Sequence, residues 1–305
     1  MIYSIIIPTH NRPLALKSCL EKISPLLNST LNLVIILDGS GEDVYKILNE
    51  YKNLKNLHLI KGDGNLFWGG AIAKGMEYSF NELNSDRVIW LNDDTEFKIE
   101  DVSLFISYEY NHSEIVGARL YGENVERNIY NISSNNGVVP VSYLNGNFTS
   151  IPKNIFFKIG NINYQKFPHF ADAPYLEKAK KCGFLLKCNT DITVNIEYDV
   201  LRHLPLWQQV ILRPKRKQFI KWSLLDIRSK WFIPYRFNYS LNKFGMWGYL
   251  VFPLIFLKNW LPVAFFLLMV SINPKIQLSL LKNIKKRKQL TQVEFDSLKK
   301  EVESL

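Results

Sequence analysis

The residues of this chain best suited to take part in chemistry are three consecutive polar ones, Asn92, Asp93 and Asp94. They follow the apolar run 88–91, so their side-chain oxygens lie where a buried strand ends. In an open α/β sheet, ligands bind at the carboxyl ends of the strands. Clustered carboxylates at that edge suit a hard divalent cation, Mg²⁺ or Mn²⁺, which neutralises phosphate oxygens. The alternative is an acidic turn that caps the following helix through Asp94 or Thr95.

The surrounding pattern predicts the sheet that positions these side chains. Strand-forming segments lie at 2–7, 33–37, 57–60 and 88–91, with helical periodicity between them. This alternation with short loops predicts a doubly wound, mostly parallel α/β sheet with flanking helices. The polar residues that end the first, second and fourth strands would then meet at one edge of the sheet, where a ligand binds.

Three helices are predicted between these strands. The first begins at Pro13, the second covers about 42–51, and the third covers about 71–83. A glycine-rich loop at 62–65 precedes the third helix. Such a loop brings backbone close to a ligand bound at the sheet edge.

Residues 119–183 follow a different pattern. Asn-Gly pairs at 136–137 and 145–146 separate short apolar segments, which predicts antiparallel strands or long loops within 119–165. A helix is predicted at 174–183, with proline in its first turn and glycine at its end.

Charge is divided unevenly along the chain. Residues 1–201 contain 19 Lys/Arg and 23 Asp/Glu, a net charge of −4, whereas residues 202–305 contain 19 and 5, a net charge of +14. This asymmetry predicts a first domain at 1–200 and a basic, aromatic-rich region at 201–305 that faces an anionic surface. That surface is either nucleic acid or the cytoplasmic leaflet of a membrane.

Residues 246–272 are almost wholly apolar and long enough to span a bilayer, which requires about 20 residues. Lys258 near the centre would cost roughly 3 kcal/mol there, and Pro253 and Pro262 interrupt the segment. Two shorter helical segments, lying in the interface or forming a re-entrant hairpin, therefore fit the sequence better than one spanning helix. A spanning helix and a buried soluble core stay open as alternatives.

The three cysteines, Cys19, Cys182 and Cys188, have no spacing typical of a disulfide framework or a zinc site. Residues 2–7 run straight into a strand pattern without a basic leader, which predicts no signal peptide. Together these observations predict a reducing, cytosolic environment.

Four segments, in this order, resemble successive motifs of the family 2 glycosyltransferases. They are 5–12 (IIIPTHNR), 37–40 (LDGS), 62–71 (GDGNLFWGGA) and 90–95 (WLNDDT). The similarity is greatest to the bacterial rhamnosyltransferase-like branch, which builds O-antigens, capsules and other surface polysaccharides. It implies a GT-A fold and inverting transfer from a nucleoside-diphosphate sugar, dTDP- or UDP-linked, to a glycan or lipid-linked glycan. Together with the apolar segment and the basic region, this predicts a peripheral or monotopic protein on the cytoplasmic face of the bacterial inner membrane.

The resemblance implies roles for individual residues. Residues that would bind the donor are Thr9, Asn11, Arg12, Asp38, Asn65, Trp68, Lys74 and Asp93. Asp94 matches the last carboxylate of the family's Asp-x-Asp motif and Asn92 replaces the first, so both are predicted ligands of Mg²⁺ or Mn²⁺. This departure from the motif leaves open whether Asp93 or Asp94 is the principal ligand. Trp68 is either a platform for a sugar ring or a core aromatic, and Lys74 either reaches the diphosphate or is a solvated helical lysine.

The segment 169–183 (HFADAPYLEKAKKCG) resembles the family segment in which an acidic pair precedes a helix. Asp172 matches the leading carboxylate and is the predicted catalytic base, which deprotonates the acceptor hydroxyl as it attacks the anomeric carbon. Pro174 stands where a second acid is common, and Lys178 where Arg is common. The alternative role for Asp172 is helix capping, since an Asp at a helix N-terminus satisfies free amides.

Three other functions compete with a metal-dependent glycosyltransferase. A basic nucleic-acid-binding protein would use the cluster 213–217 and nearby aromatics, but it leaves the acidic cluster unexplained, so no nucleic-acid partner is predicted. A non-catalytic sugar-nucleotide-binding scaffold subunit would explain the acids missing at Leu37, Asn92 and Pro174. A nucleotidyltransferase would need a strongly basic glycine loop after the first strand, which this sequence lacks.

Overall fold

The computed structural model describes residues 1–122, 127–128, 130, 132, 137–196, 201, 204–213, 215–273, 275–286 and 292–303. These residues divide into two compact units. The first contains the described residues up to 196, and the second contains those from 201 onward. The boundary lies close to the position where the net charge of the chain changes sign.

One mixed sheet forms the centre of the first unit. Its strands, in the described residues, are β1 (Tyr3–Thr9), β2 (Leu31–Leu37), β3 (Leu57–Lys61), β4 (Arg87–Trp90), β5 (Glu114–Gly122), β6 (Arg127–Asn128), β7 (Val138–Pro140), β8 (Thr149–Pro152) and β9 (Leu185–Ile196). They lie in the order β3-β2-β1-β4-β8-β5-β9-β7, and β6 pairs with β5. The pairs β1–β2, β1–β4 and β2–β3 are parallel, which confirms the predicted parallel sheet in the first hundred residues.

The inner strands of this parallel set are buried because they are apolar at almost every position. All seven residues of β2 and all four of β4 are buried, including the charged Arg87. The Arg87 guanidinium donates hydrogen bonds to Ser150 Oγ and to the backbone carbonyls of Asn111 and Glu114, at 2.8, 3.3 and 2.9 Å. A buried charge is tolerated only when its donors are satisfied in this way.

The second half of the sheet contains antiparallel pairs. β8 is antiparallel to both β4 and β5, β7 is antiparallel to β9, and β5 is parallel to β9. Antiparallel strands and loops were the expectation for 119–165, and the structure confirms it. Asn145 and Gly146 lie in the loop between β7 and β8, two strands that do not pair with each other, whereas Asn136 lies outside the described residues.

Helices cover the sheet of the first unit. They are α1 (Pro13–Ile23), α2 (Glu42–Glu50), α3 (Phe67–Asn81), α4 (Ile99–Ser107), α5 (Lys153–Ile159) and α6 (Asp172–Lys181). The prediction that α3 begins at Ala71 was wrong, since the helix begins at Phe67. Gly69 and Gly70 lie inside the helix, where their small size allows close packing, since a Cβ on Gly69 would lie 2.5 Å from the carbonyl oxygen of Phe167. Gly183 has φ of +86° and follows α6, as predicted for a C-terminal stop.

The second unit is helical in its described residues. Its helices are α7 (Leu206–Leu212), α8 (Arg216–Leu225), α9 (Ile233–Phe244), α10 (Gly248–Ile272), α11 (Lys275–Lys286) and α12 (Gln292–Glu303). The basic cluster predicted at 282–288 falls partly on α11, while 287 and 288 lie outside the described residues.

The apolar segment 246–272 differs from the prediction of two short pieces. α10 is one helix of 25 residues that continues through Pro253 and Pro262. Each proline removes one backbone hydrogen bond, but packing on both sides of the breaks holds the helix together. Phe237 of α9 contacts the N-terminal half at Phe252, with ring centroids 5.4 Å apart, and the ring of Trp207 of α7 stacks at 3.9 Å on Phe266 in the C-terminal half.

Candidate active site

The carboxyl ends of β1, β2 and β4 lie side by side, as the parallel pairing requires. Thr9 ends β1 and is buried, and its hydroxyl donates a hydrogen bond of 2.9 Å to Asp93 Oδ2 in the turn after β4. The amide of Asp38, just after β2, donates to the carbonyl oxygen of Thr9 at 3.2 Å. The polar ends of three strands therefore converge on one edge of the sheet, as predicted from their positions in the sequence.

Arg12 joins both aspartates of the acidic turn. Its Nη1 lies 3.1 Å from Asp93 Oδ1 and 2.6 Å from Asp94 Oδ2. Asp93 is buried, and burial raises its pKa, while the hydrogen bond from Thr9 and the charge of Arg12 oppose that rise. The side chain of Asp94 is 46% exposed. Asp94 is therefore the carboxylate open to a ligand, and Asp93 lies beneath it with its oxygens already bonded within the protein.

The acidic turn fits a metal ion that takes some of its ligands from the protein and the rest from phosphate oxygens. The guanidinium between Asp93 and Asp94 shows that both carboxylates face one cation position. In the ranges that the structure describes, no group of three His, Cys, Asp or Glu side chains could enclose a metal by itself. One or two carboxylates completed by substrate phosphates are the usual Mg²⁺ site. The oxygen of Asn92 already accepts a hydrogen bond of 2.7 Å from Trp68 Nε1, so its role as a ligand stays a prediction.

Asp38 organises the glycine-rich loop. Its Oδ1 accepts the amide of Gly64 at 2.8 Å, and its Oδ2 accepts the amide of Phe67 at 3.0 Å. Phe67 has φ of +52°, a strained conformation for a bulky residue, which costs roughly 1–2 kcal/mol. His10 Nδ1 bonds the backbone carbonyl of Asp38 from the other side. The carboxylate thus holds the strained start of α3. Its role in binding a donor stays a prediction.

Asn11 links the loops that follow β1 and β2. It has φ of +52°, and its Oδ1 accepts the amide of Gly41, the residue before α2, at 2.6 Å. Asn65 is exposed, and Lys74 is half-buried on α3. Within the described residues, no hydrogen bond joins the side chain of Asn65 or Lys74 to another predicted site residue. Their predicted roles in binding a donor are untested.

Trp68 lies between the acidic turn and the predicted base. Its indole N–H donates to Asn92 Oδ1, and its ring meets the ring of Trp90 edge-on, with centroids 5.7 Å apart. A Cβ added to Gly146 would lie 2.3 Å from Trp68 Cζ2, so only glycine fits against this ring. Trp68 is half-buried. It therefore packs as a core aromatic on at least part of its surface, and the sugar-platform role stays open.

Asp172 is the first residue of α6 and lies against the same loop. Its Oδ2 accepts the amide of Gly146 at 2.9 Å. Burial raises the pKa of Asp172, and hydrogen bonds from the amides of Ala173, Gly146 and Asp172 itself oppose the rise. A base works best when its pKa approaches the working pH, so a raised pKa suits a carboxylate that accepts a proton from a hydroxyl.

A continuous path of contacts connects the two halves of the site. Asn92 bonds Trp68, Trp68 packs on Gly146, and Gly146 donates to Asp172. A second path runs from Trp68 through Trp90 to Tyr175 of α6, with a ring separation of 5.6 Å in the last step. Gly146 was predicted only as a turn residue, and its place in the site follows from a long-range contact that turn chemistry does not reveal.

A family model described as "Glycosyl transferase family 2" matches residues 4–172. The chain is 22% identical over 196 residues to the low-salt glycan biosynthesis hexosyltransferase Agl10 of Haloferax volcanii, covering 58% of this chain and 61% of that protein. It is 29% identical over 121 residues to an undecaprenyl-phosphate 4-deoxy-4-formamido-L-arabinose transferase of Proteus mirabilis. This match covers 38% of this chain and 36% of that protein. The matches thus span less than two thirds of each relative.

The fold is that of solved structures with low sequence identity. The mannosyltransferase PcManGT from Pyrobaculum calidifontis, in complex with GDP-Man and Mn²⁺, superposes with a TM-score of 0.56 and 11% identity, covering 98% of this chain and 83% of that one. Staphylococcus aureus TarS 1–349 superposes with a TM-score of 0.51 and 16% identity, covering 79% of this chain and 81% of that one. The architecture is therefore a mixed α/β fold of the GT-A type, as predicted.

Proposed function

The chain belongs to glycosyl transferase family 2, and from that premise we propose that it transfers a sugar, with inversion, from a nucleoside-diphosphate donor to a glycan acceptor. One observation carries the proposal. A continuous path of contacts joins Asn92, the residue before Asp93 and Asp94, to the half-buried carboxylate of Asp172, through Trp68 and Gly146. A site for a phosphate-bound cation and a base of raised pKa are the two parts that inverting transfer requires.

Asp172 is the proposed base. It takes the proton of the acceptor hydroxyl while the hydroxyl oxygen forms a bond to the anomeric carbon, and the bond from that carbon to the diphosphate oxygen breaks. The nucleoside diphosphate leaves with the bonding electron pair, and the proton remains on Asp172 until solvent removes it. The raised pKa of Asp172 makes its carboxylate a stronger proton acceptor than an exposed aspartate.

Asp94, with Asn92, would hold Mg²⁺ or Mn²⁺. When bound, the ion supplies the counter-charge for the departing diphosphate. The single positive charge of Arg12 offsets only part of the charge of Asp93 and Asp94, and its remaining N–H groups would be available to phosphate oxygens. The Pyrobaculum calidifontis mannosyltransferase is in complex with Mn²⁺, which supports a divalent ion in this fold.

The donor and acceptor are proposed from the family and its relatives. The nucleotide, dTDP- or UDP-linked, would lie among Thr9, Asn11, Arg12 and Asp38, and its sugar, a hexose or rhamnose, near Trp68. The undecaprenyl-phosphate named for the Proteus mirabilis relative supports a lipid-linked acceptor. The glycan biosynthesis named for the Haloferax volcanii relative supports a role in building surface polysaccharide.

A lipid-linked acceptor would place the protein at the cytoplasmic face of the bacterial inner membrane. Within the described residues, one helical segment, 233–272, is long and apolar enough to cross a membrane by length and composition. The net positive charge of residues 202–305 adds attraction to anionic lipid, about 1 kcal/mol for each well-placed Lys or Arg. We therefore propose a peripheral or monotopic protein in which the described residues up to 196 carry the chemistry.

A transfer assay tests the proposed function. The full chain is incubated with single dTDP- or UDP-sugars, a polyprenyl-phosphate-linked saccharide and Mn²⁺, and NMR of the product gives its anomeric configuration. The expected result is nucleoside-diphosphate release coupled to a product of inverted configuration, lost with EDTA. Metal-independent transfer would overturn the metal site, and retention of configuration would overturn the role of Asp172. If no donor binds or reacts, the enzymatic proposal fails in favour of a non-catalytic subunit.

A further inference from the structure

One face of α10 is apolar and exposed along its whole length. Seven side chains on this face, which we call the α10 stripe, each leave between 49% and 72% of their surface exposed. They are Leu250, Leu254, Leu257, Leu261, Phe265, Leu268 and Ile272. Spacings of three and four residues place them on one side of the helix. The stripe extends for about 33 Å, at about 1.5 Å per residue.

The opposite face of α10 is packed on protein. Val263 is buried against Leu206 and Val210 of α7, and the ring of Phe266 stacks on Trp207 at 3.9 Å. Gly248 touches the backbone of α9, since a Cβ there would lie 2.7 Å from Leu241 Cα. A helix that is apolar all round is normally buried on all sides. Here only one side is buried, so the stripe requires a second partner.

The helix that follows α10 along the chain is cationic. Exposed lysines at 275, 282 and 286 line the outer side of α11. α11 is tied to α7 by a buried hydrogen bond of 2.6 Å from Gln277 Nε2 to the carbonyl oxygen of Ile211. Burial of apolar side chains together with attraction of lysines to anionic lipid is the combination that holds a protein on a membrane surface.

We propose that the α10 stripe is an in-plane membrane contact, in which α10 lies parallel to an anionic bilayer surface with the stripe immersed at the level of the upper acyl chains. The inference rests on the membrane association proposed above and deepens it by fixing the orientation of the helix. α7 and α11 then stay on the aqueous side, with the lysines of α11 at or above the phosphates.

Lys258 supports the in-plane orientation. It is exposed, and it lies about 60° around the helix from Leu261, at the border of the stripe. In an in-plane helix its ammonium group reaches the lipid phosphates while its methylene groups cover apolar surface. In a spanning helix the same residue would lie about 5 Å from the centre of the stripe, at a cost of roughly 3 kcal/mol.

The packing of α7 also opposes a spanning helix. Val263 and Phe266 lie in the C-terminal half of α10, so a spanning α10 would draw α7 into the hydrocarbon. Through Gln277, α11 and its lysines would follow. An in-plane helix avoids this burial of charge. A second copy of the chain is a poorer partner, because residues 202–305 carry a net charge of +14 in each copy and like charges repel.

Depth-dependent quenching tests the orientation. An environment-sensitive fluorophore is attached to single cysteines at Leu254, Leu261 or Leu268 of the full chain, in a Cys182→Ser background because Cys182 is the exposed native cysteine in the described residues. The proteins are added to vesicles of phosphatidylcholine and phosphatidylglycerol that carry quenchers at known depths. We expect all three probes to report the same shallow depth. A probe at Lys282 on α11 is the control and should not be quenched by quenchers on the acyl chains.

Three outcomes would overturn the proposal. A deep probe at Leu261 with shallow probes at Leu254 and Leu268 would show a spanning helix. No quenching at any position, with a change in sedimentation when Leu254 and Leu261 are both changed to Glu, would show self-association through the stripe. If the double variant still binds vesicles and 1 M salt abolishes that binding, the lysines bind the membrane without the stripe. Calorimetry of donor binding on the same variants separates these results from failure of the proposed transferase function.

Discussion

Replacing Trp68 with Phe tests whether its indole N–H supports the acidic turn. The change keeps an aromatic ring on α3 but removes the donor 2.7 Å from Asn92 Oδ1. Leaving a buried acceptor without its hydrogen bond costs about 1–3 kcal/mol, and the half-buried Asn92 falls at the lower end. About 1.4 kcal/mol is a tenfold change in an equilibrium constant. This hydrogen bond orients Asn92, a predicted metal ligand, and loss of such an outer hydrogen bond typically weakens metal binding by roughly tenfold or more. We therefore expect the Kd for Mn²⁺ in the presence of donor to rise about tenfold.

Trp90→Phe is the matched control. It removes the same kind of donor, but Trp90 Nε1 has no hydrogen-bond partner in the described structure. Trp90 is fully buried, so the smaller ring leaves a cavity and lowers the melting temperature. Its Kd for Mn²⁺ should nevertheless stay within about twofold of wild type. Calorimetric titration of Mn²⁺ and donor into each protein measures the difference, and equal shifts in both variants would refute the reasoning.

The remaining predictions concern the two carboxylates of the turn, the base and the loop glycine. Asp94→Ala should abolish metal-dependent donor binding, measured by calorimetry, without loss of stability, because its carboxylate is half exposed. Asp93→Ala should lower activity less, but because Asp93 is buried the variant should have a lower melting temperature in thermal denaturation. Transfer should decline as pH falls through the raised pKa of Asp172, at higher pH than the ordinary value of about 4 would give, as a pH–rate profile would show. Gly146→Ala should lower turnover about tenfold or more in a steady-state assay, since a Cβ would displace the Trp68 ring.

Each of these predictions has a contradicting result. Undiminished Mn²⁺-dependent binding in both aspartate variants would remove the metal site. A rate profile that falls only near the ordinary aspartate pKa would mean that Asp172 is not the titrating base. Full activity of the alanine variant at Gly146 would show that Trp68 can move without consequence.

The parallel half of the fold could be predicted because its signals are local. β1 and β2 are largely apolar runs followed by polar loops, and their pairing puts Thr9 beside Asp38 in the way that strand ends in a parallel sheet require. The acidic turn follows from the same logic. The start of α3 was predicted too late because glycine disfavours a helix by propensity, whereas Gly69 packs against residues 167–168 and Gly70 against Tyr164.

Contacts that depend on tertiary structure could not be predicted. Nothing near Gly146 in the sequence indicates that it packs on Trp68 or donates to Asp172. The continuity of α10 through two prolines likewise depends on contacts with α7 and α9, which propensity alone does not include. The exposed stripe also escapes a pattern-based prediction, because both faces of α10 are apolar and only packing distinguishes them.

The role of Asp172 is tested most directly by Asp172→Asn, measured for turnover, donor binding and melting temperature in one preparation. Because burial raises the pKa of Asp172 above its value in the unfolded chain, its contribution to stability is fully present at low pH and is lost as pH rises through the raised pKa. At neutral pH the variant should therefore melt no earlier than wild type, and it should bind donor with an unchanged Kd. We predict that its turnover falls by about 10²-fold or more. Normal turnover with saturating acceptor would contradict the account and leave Asp172 as a structural residue at the start of α6.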